Sequence, residues 1–229
     1  MTKEFATTFG TIHISTNMTG KLEGINALST SVVMNMFCQA RRCISGSICE
    51  KCYAESTVTR YTKLGQNVAE NFEILTNHLL EVMDFPFTPD LFFRIEAFGD
   101  VANEIQCRNY IRFCRRNPQT TFTAWTKNPA IWDRAFAIEG KPENLIMGLS
   151  SMFVNKPAEI RWSWVDFLFT VYTAEYAIEH NIEINCGGRH CIECRRCYTK
   201  HDGVMIVNEM LKSDLKKYAR MMAKKIATA

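Results

Sequence analysis

The sequence lacks the segments that mark secreted and membrane-spanning proteins. Its first fifteen residues, MTKEFATTFGTIHIS, have neither the basic start nor the apolar centre of a secretory signal peptide. The longest apolar-rich stretch, WSWVDFLFTVYTA, is too short to cross a bilayer and contains Asp166. We therefore expect a soluble, cytoplasmic protein without a membrane partner.

The sequence also has little net charge and no phosphate-binding glycine loop. The formal net charge is +3 in 229 residues, which is too small to indicate a nucleic-acid partner by itself. The sequence has no phosphate-binding loop and no base-reading motif that would single out one class of ligand. A small-molecule substrate, a nucleotide substrate and a nucleic-acid partner therefore all stay open. No repeat, low-complexity segment or linker interrupts the chain, so residues 1–229 are expected to form a single domain.

Cysteine, in contrast, is abundant and clustered. The chain has ten cysteines, and in a reducing cytoplasm such clustering favours metal or redox chemistry over disulfides. Eight of them form two groups with short spacers. The first cysteine group, spaced C-x4-C-x5-C-x2-C in residues 38–52, consists of Cys38, Cys43, Cys49 and Cys52. The second cysteine group, spaced C-x4-C-x2-C-x2-C in residues 186–197, consists of Cys186, Cys191, Cys194 and Cys197.

Each group supplies the four thiolates that a zinc ion or an iron-sulfur cluster requires. The C-x2-C-x2-C run of the second group is typical of ferredoxins, so we expect two iron-sulfur clusters of the 4Fe-4S type, with zinc as the alternative. One zinc shared by the pairs Cys49/Cys52 and Cys194/Cys197 is also open. His190 stands inside the second group, but four cysteines already suffice there.

The two remaining cysteines have a different interpretation. Cys107 and Cys114 fall at helical spacing with Tyr110 and Ile111, at positions i, i+3, i+4 and i+7. That spacing predicts the buried stripe of an amphipathic helix. We therefore expect both thiols in the core.

Short β-rich runs alternate with helix-like stretches along most of the chain. The predicted strands are residues 10–17, 91–100, 120–127, 144–151, 167–174 and 182–186. The predicted helices include residues 68–83, a helix starting at Asn128–Pro129 and a basic amphipathic C-terminal helix over residues 205–227. This order predicts an α/β fold in which parallel strand-helix units form a partial or open (β/α) barrel-like sheet with two cysteine-rich loops.

Ligand sites of parallel α/β sheets lie at the carboxyl ends of the strands. There the sequence places the candidate catalytic residues Arg94, Glu96, Asp100 and Lys127. Arg94 and Glu96 are two positions apart, so we expect them on one strand face, where burial is costly unless they are paired. Asp100 as a helix cap and Lys127 as a solvated loop charge are the structural alternatives. Cys186 ends the last predicted strand, which brings the second cysteine group to the same mouth.

Six segments together resemble the phage gene product eighty-eight family. They are NMTGKLEGINALST, CISGSICEKCYAE, FFRIEAFGDV, TAWTK, NLIMGLSS and CGGRHCIECRRCY, and they run from about residue 10 to about residue 210. The resemblance implies phage or mobile-element origin, and therefore the cytoplasm of a host cell. It also implies paired cysteine groups, but no particular reaction.

The predicted architecture resembles, more loosely, the radical S-adenosylmethionine enzymes, whose partial barrels hold a cluster through three cysteines. The resemblance implies that Cys43, Cys49 and Cys52 hold such a cluster and leave one iron open for S-adenosylmethionine. The usual C-x3-C-x2-C spacing is replaced here by C-x5-C-x2-C. In that arrangement Cys38 is not a ligand of the cluster. If Cys38 is the fourth ligand instead, no iron is open for a cofactor, and the cluster only transfers electrons or stabilises the fold.

Three functions therefore stay open. The first is a cluster-dependent, radical S-adenosylmethionine-like enzyme with the four candidate catalytic residues around its substrate. The second is an electron-transfer or redox-sensing protein with two closed 4Fe-4S clusters and an electron donor protein as partner. The third is a zinc-stapled module that binds nucleic acid or a protein through its basic C-terminal helix. We expect the enzyme, with its reaction undetermined.

Overall fold

One sheet organises the protein. The computed structural model describes residues 2–16 and 18–227, without the side chains of residues 226 and 227. Within these ranges the sheet has eight strands, and they follow one another in chain order. They are β1 Thr2–Thr7, β2 Gly10–Ser15, β3 Asn26–Leu28, β4 Phe92–Ile95, β5 Thr121–Thr126, β6 Leu145–Ser150, β7 Phe167–Tyr172 and β8 Met205–Met210.

The pairing directions confirm the expected α/β fold. β1, β2 and β3 pair antiparallel, whereas β3 to β8 all pair in parallel. Parallel connections are right-handed, and because the strand order never reverses, the longer crossover helices are placed on one face of the sheet. Over the described ranges, β1 and β8 have no second neighbour, so the sheet is open.

The helices connect and flank these strands. They are α1 Met36–Arg42, α2 Tyr53–Arg60, α3 Thr62–Asn77, α4 Glu104–Arg116, α5 Pro129–Glu139, α6 Ala174–Glu179, α7 Cys191–Cys194 and α8 Leu215–Ala227. α3 packs on β2 and α4, and α4 packs on α5. As predicted, α5 has Asn128 at its N-cap and Pro129 in its first turn, where a missing N–H costs nothing.

The helix-covered face of the sheet carries the main core. Leu75 of α3 and Phe113 of α4 pack there with Phe93 of β4, among other apolar residues. Cys107 and Cys114 lie in the same core at 0% exposure, which confirms their predicted burial. The two thiols are therefore packing residues of α4.

The opposite face of the sheet, which we call the inner face, is covered by the two cysteine groups. It carries Arg94, Trp125, Ile146, Phe167, Phe169 and Val207. Ile48 from the first loop packs on this face, as do Cys186 and Cys197 from the second. The inner face is therefore an interior surface.

One contact crosses the inner face of the sheet. Lys21, which precedes β3, forms an ion pair with Glu209 on β8. Lys21 lies in the 3-10 turn Gly20–Leu22, so the ion pair ties this turn to the last strand of the open sheet across the inner face.

The carboxyl-terminal part differs from the sequence-based prediction. Residues 182–186 form only an isolated bridge, between Cys186 and Glu209, so the predicted strand is wrong. The predicted helix over residues 205–227 is wrong in its first half, because Met205–Met210 is β8 and α8 begins at Leu215. Six residue pairs join β8 to β7, and this tertiary pairing overrides the helical pattern. The second cysteine group therefore precedes the last strand.

Two further elements shift. The helix predicted at residues 68–83 is α3, Thr62–Asn77, because the chain becomes extended at His78. Met83, the last residue of the predicted helix, lies beyond the end of α3 and is 71% exposed. On α8, Tyr218 packs against α6 as part of the expected apolar stripe, while the side chain of Ile226 lies outside the described residues.

Candidate metal centres at the inner face

The first cysteine group lies over the carboxyl ends of β4 and β6. The side chain of Asn35 caps α1 by accepting from the Cys38 N–H (3.3 Å) and donates to the carbonyl oxygen of Asp100 (2.6 Å). Because Asp100 follows β4, these bonds hold Cys38 at the end of that strand. Farther along, the N–H of Ile48 donates to the carbonyl oxygen of Met152 (2.9 Å), just after β6.

Three thiols of this group lie in one electrostatic neighbourhood: Cys38, Cys49 and Cys52. Burial raises the pKa of Cys38 far above its usual value, and the charges of Asp100 and Cys52 add to the shift. Burial also raises the pKa of Cys49, against the charge of Lys127 and together with that of Cys52. Cys52 therefore interacts electrostatically with both Cys38 and Cys49.

Cys43 stands apart. It is exposed at the end of α1, and its thiol contacts the carbonyl oxygen of Gln39 at 3.5 Å. Cys38 and Cys52, in contrast, are partly buried against the apolar cluster between α2 and α3. The electrostatic interactions within the group thus involve Cys38, Cys49 and Cys52, whereas the radical S-adenosylmethionine resemblance implied Cys43 together with Cys49 and Cys52.

The second cysteine group wraps around a single helical turn. Cys191 and Cys194 are the two ends of α7. Arg195 follows in the left-handed conformation, with φ of 56°, and leads into the 3-10 turn Arg196–Tyr198 that carries Cys197. A left-handed residue other than glycine is strained, and here it turns the chain back on itself. Cys186 approaches from the other side, held by its bridge to β8.

The four thiols of the second group influence one another. The pKa of Cys197 is raised to about 12, first by burial and then by Cys186, with Cys191 and Cys194 adding to the effect. Burial raises the pKa of Cys191 and of Cys186 as well, and the neighbouring thiols add to both shifts. All four thiols are therefore gathered at one place on the inner face.

Lys21 supplies a positive charge to this second group. Its Nζ lies 3.6 Å from the sulfur of Cys186 and pairs with the carboxylate of Glu209. Burial opposes the charge of Lys21, but Glu209 and Cys186 together hold its pKa above the usual value. A cation at this distance favours the thiolate form of cysteine.

Arg94 projects from β4 onto the inner face. It is 7% exposed, and its guanidinium carbon lies 4.2 Å from the centroid of the Trp125 ring. Burial raises the pKa of Cys191 and of Cys197, and the charge of Arg94 opposes both shifts. Arg94 therefore lies within electrostatic range of the second cysteine group.

Glu96 lies behind the sheet, so the prediction that it shares a face with Arg94 is wrong. β4 ends one residue earlier, and Glu96 has a φ of 52°, which breaks the alternation of the strand. Its carboxylate accepts hydrogen bonds from Thr30 Oγ1 (2.7 Å), Gln106 Nε2 (2.7 Å) and Tyr110 Oη. Burial raises its pKa to about 7 although these bonds lower it.

Asp100 fastens the end of β4 to the end of β5. Its carboxylate accepts hydrogen bonds from Thr126 Oγ1 (2.7 Å) and from the backbone N–H of Lys127. The cap of α4 is Asn103, so the alternative of Asp100 as a helix cap is wrong. The ammonium of Lys127 makes no ion pair within the described chain, and its charge lowers the pKa of Cys49 against the larger effect of burial.

Neither histidine near these residues joins the cysteines. The Nδ1 atom of His190 lies 3.7 Å from the carboxylate of Glu23, and the side chain is 45% exposed. His13 is buried at 4% exposure, and its Nε2 atom lies 2.5 Å from the carboxylate of Glu70. His13 on β2 thus contacts Glu70 of α3 and not the cysteines.

Two tyrosines at the site were missed from the sequence. Each group ends in Cys-Tyr, and that repeated pair was the available signal. The ring of Tyr53 is 62% exposed, but its hydroxyl turns inward and donates to the carbonyl oxygen of Ala97 (3.0 Å). Burial there raises the pKa of Tyr53, and the charge of Arg94 opposes the shift, which also puts Arg94 within range of the first group. Tyr198 is buried against Phe92, with ring centroids 5.3 Å apart.

The second cysteine group fits a metal centre chemically. Thiolate sulfur is the ligand of iron-sulfur clusters and of structural zinc, and all ten cysteines are free thiols. Over the residues that the structure describes, no set of three or more His, Cys, Asp or Glu side chains has metal-ligand geometry. Four clustered thiols next to a lysine nevertheless provide the right donor atoms and a compensating charge.

Comparison with known proteins points to one family. A family model described as Gene product 88 matches residues 13–214, a range that contains both cysteine groups and strands β3 to β8. No curated protein matches the chain, and no solved structure does. Among the described residues, no helix combines the length and the apolarity needed to cross a membrane.

Proposed function

The chain belongs to the Gene product 88 family, and we propose that it is an iron-sulfur enzyme with one cluster held by each cysteine group. The observation that carries this proposal is the second group, whose four thiols influence one another beside Lys21 and Arg94. Clustered thiols with adjacent cations are the environment that stabilises the thiolates a cluster needs.

Iron-sulfur is favoured over zinc by the spacing and the location of the second group. Its C-x2-C-x2-C run is the ferredoxin arrangement, and Cys186 completes the ligand set from the other side of the loop. Cys186 and Cys197 pack on an apolar sheet face, and such a surrounding controls solvent access and the reduction potential of a redox centre.

The first group supports the enzymatic form of the proposal. Cys52 interacts electrostatically with Cys38 and with Cys49 while Cys43 is exposed, and a cluster held by three cysteines keeps one coordination position open. The cofactor that we propose for this position is S-adenosylmethionine, which with such a cluster supplies radical chemistry. An electron donor protein of the host cytoplasm is then the expected partner.

The protein's own residues have separable tasks around the proposed centres. Arg94 and Lys127 present positive charge, Arg94 on the inner face and Lys127 next to Cys49, and they bind and orient the substrate. Trp125 and the other apolar residues of the inner face exclude water. Asp100 holds the ends of two strands together and is a positioning residue.

The test is metal analysis and electron paramagnetic resonance of anaerobically purified protein. Iron, sulfide and zinc are quantified, and the dithionite-reduced spectrum is recorded with and without S-adenosylmethionine. We expect iron and sulfide for two clusters and one signal that changes with the cofactor. An unchanged cluster signal supports electron transfer through two closed clusters instead. Zinc without iron supports the zinc-stapled binding module and contradicts the proposal.

A further inference from the structure

Arg94 is a buried guanidinium without an acceptor. Within the described part of the chain it makes no hydrogen bond and no ion pair, and its Nε atom is sealed from water. Its two Nη atoms make no hydrogen bond either, and the residue as a whole is 7% exposed. Stacking on Trp125 provides no acceptor for the five N–H donors, and buried charged groups are costly unless they are hydrogen-bonded.

Other polar atoms around Arg94 are unpartnered too. Thr123, its neighbour in register on β5, has a buried hydroxyl with no partner among the described residues. The same is true of the indole N–H of Trp125 and the hydroxyl of Tyr198. The indole is a donor only, and both hydroxyls can donate. This part of the inner face therefore holds several donors without a partner among the described residues.

The carboxylates of the region are engaged elsewhere. Glu96 faces the opposite side of the sheet, where Thr30, Gln106 and Tyr110 donate to it. Glu209 pairs with Lys21. Among the described residues, none supplies the carboxylate that a buried arginine normally pairs with.

We propose that Arg94 binds the carboxylate or phosphate group of the substrate on the inner face, between the two cysteine groups. The proposal deepens the proposed function, because it assigns an anionic substrate to the same site. A planar guanidinium binds either group through two parallel N–H bonds, and Lys127 adds a positive charge near the end of β5. The position is consistent with ligand binding toward the carboxyl ends of parallel strands.

The competing explanation is that Arg94 only compensates the charge of the second cysteine group. It predicts an effect of Arg94 on metal retention and reduction potential, and no effect on anion binding. The two explanations are separated when both properties are measured on the same variants.

The experiment is calorimetric titration of the full-length, anaerobically purified protein with inorganic phosphate and, separately, with succinate. We expect saturable binding of one of them at a single site, and its identity distinguishes a phosphorylated from a carboxylic substrate. Arg94→Gln should weaken binding about tenfold or more, because a charge-assisted bidentate contact is lost. The affinity of Arg94→Lys should lie between those of the wild type and Arg94→Gln, because lysine keeps the positive charge but lacks the two parallel N–H donors of arginine. If Arg94→Gln does not fold, the loss of anion affinity in Arg94→Lys tests the proposal.

The matched control is Arg134→Gln on α5, where an exposed arginine faces Glu104 at 3.7 Å. Its binding should equal that of the wild type. Absence of saturable binding to the wild type, or equal binding by the wild type and the deciding Arg94 variant, overturns the proposal. An Arg94→Gln protein that binds the anion normally but loses iron assigns the residue to the cluster, with the same consequence. Metal content from the same samples tests the iron-sulfur proposal independently.

Discussion

Arg94 and Glu96 are two residues apart in the chain and lie on opposite sides of the sheet. The left-handed backbone of Glu96 is the cause, because it ends the alternation of β4 directly after Ile95. The guanidinium of Arg94 consequently lies on the inner face, while the carboxylate of Glu96 accepts hydrogen bonds from α4 on the opposite face. Neither residue satisfies the charge of the other, so the two have separate roles.

Glu96 should make stability depend on pH. Burial raises its pKa to about 7 in the folded protein, from an ordinary value of 4.5. Between these two pKa values, the folded state holds a proton that the unfolded state has released. The stability that this proton contributes is fully present below the pKa of the unfolded state, and it is lost as the pH rises through the pKa of the folded state. Between about pH 5 and 8, the wild type should lose roughly 3 kcal/mol relative to Glu96→Gln. Chemical denaturation of both proteins at each pH measures this difference, and parallel stability curves contradict the expectation.

Cys38 and Cys43 should differ in their importance for the first centre. Cys38 interacts electrostatically with Cys52, whereas Cys43 is exposed. We expect Cys43→Ser to keep the iron content of the wild type and Cys38→Ser to lose the iron of one cluster. The two variants are matched controls for each other, since both replace a thiol of α1 and its cap. If Cys43→Ser loses iron and Cys38→Ser keeps it, Cys43 is a ligand of the first cluster and Cys38 is not.

Cys194→Ser should lower both iron content and melting temperature, because binding of a metal centre is coupled to folding of the loop that holds it. Cys114→Ala on α4 is the control. It removes a buried thiol from the core, so it should cost about 1 to 2 kcal/mol in unfolding free energy and leave the iron content unchanged. Melting curves and iron assays of both variants give the comparison. A Cys194→Ser protein that matches the wild type in both assays excludes the second group as a ligand set.

Lys21 and Glu209 should tune the proposed second cluster in opposite directions. The lysine lies 3.6 Å from the sulfur of Cys186, and a nearby cation favours the more negative, reduced state. Lys21→Met should lower the reduction potential, and Glu209→Gln should raise it, each on the order of tens of millivolts. Redox titration followed by electron paramagnetic resonance measures both. Shifts of the same sign would show that the charge interaction is not the cause.

Gly99 should be intolerant of a side chain because of Val32. Its φ is 112°, and an added Cβ would lie 2.4 Å from Val32 Cγ1 and 3.8 Å from the Cys38 sulfur. Gly46, with a φ of 74°, has open space around the same position. Gly46→Ala should therefore cost about 1 to 2 kcal/mol for its backbone alone, and Gly99→Ala clearly more. Denaturant titration ranks them, and equal losses would mean that packing at Gly99 is loose.

The sequence was informative where local pattern and tertiary structure agree. The helical spacing of Cys107 and Cys114 predicted their burial, and the alternating strand and helix runs predicted the parallel sheet. β8 was not predictable in this way, since Met205–Met210 becomes a strand only by pairing with β7. The turn of Glu96 behind the sheet depends on one backbone angle that no side-chain pattern encodes. The placement of Cys38 near the end of β4 likewise depends on the contact of Asn35 with Asp100, which are distant in sequence.

The contact of Lys21 with Glu209 joins residues 188 positions apart, and its contact with Cys186 joins residues 165 apart. A chain that emerges from the ribosome amino end first contains Cys38, Cys52 and Asp100 long before it contains β8. The proposed first cluster would therefore find its cysteines on the nascent chain, whereas the proposed second cluster would have no complete site until synthesis is almost finished. The contacts of Lys21 with Glu209 and Cys186 then join the turn before β3 to the segment that would hold the second cluster.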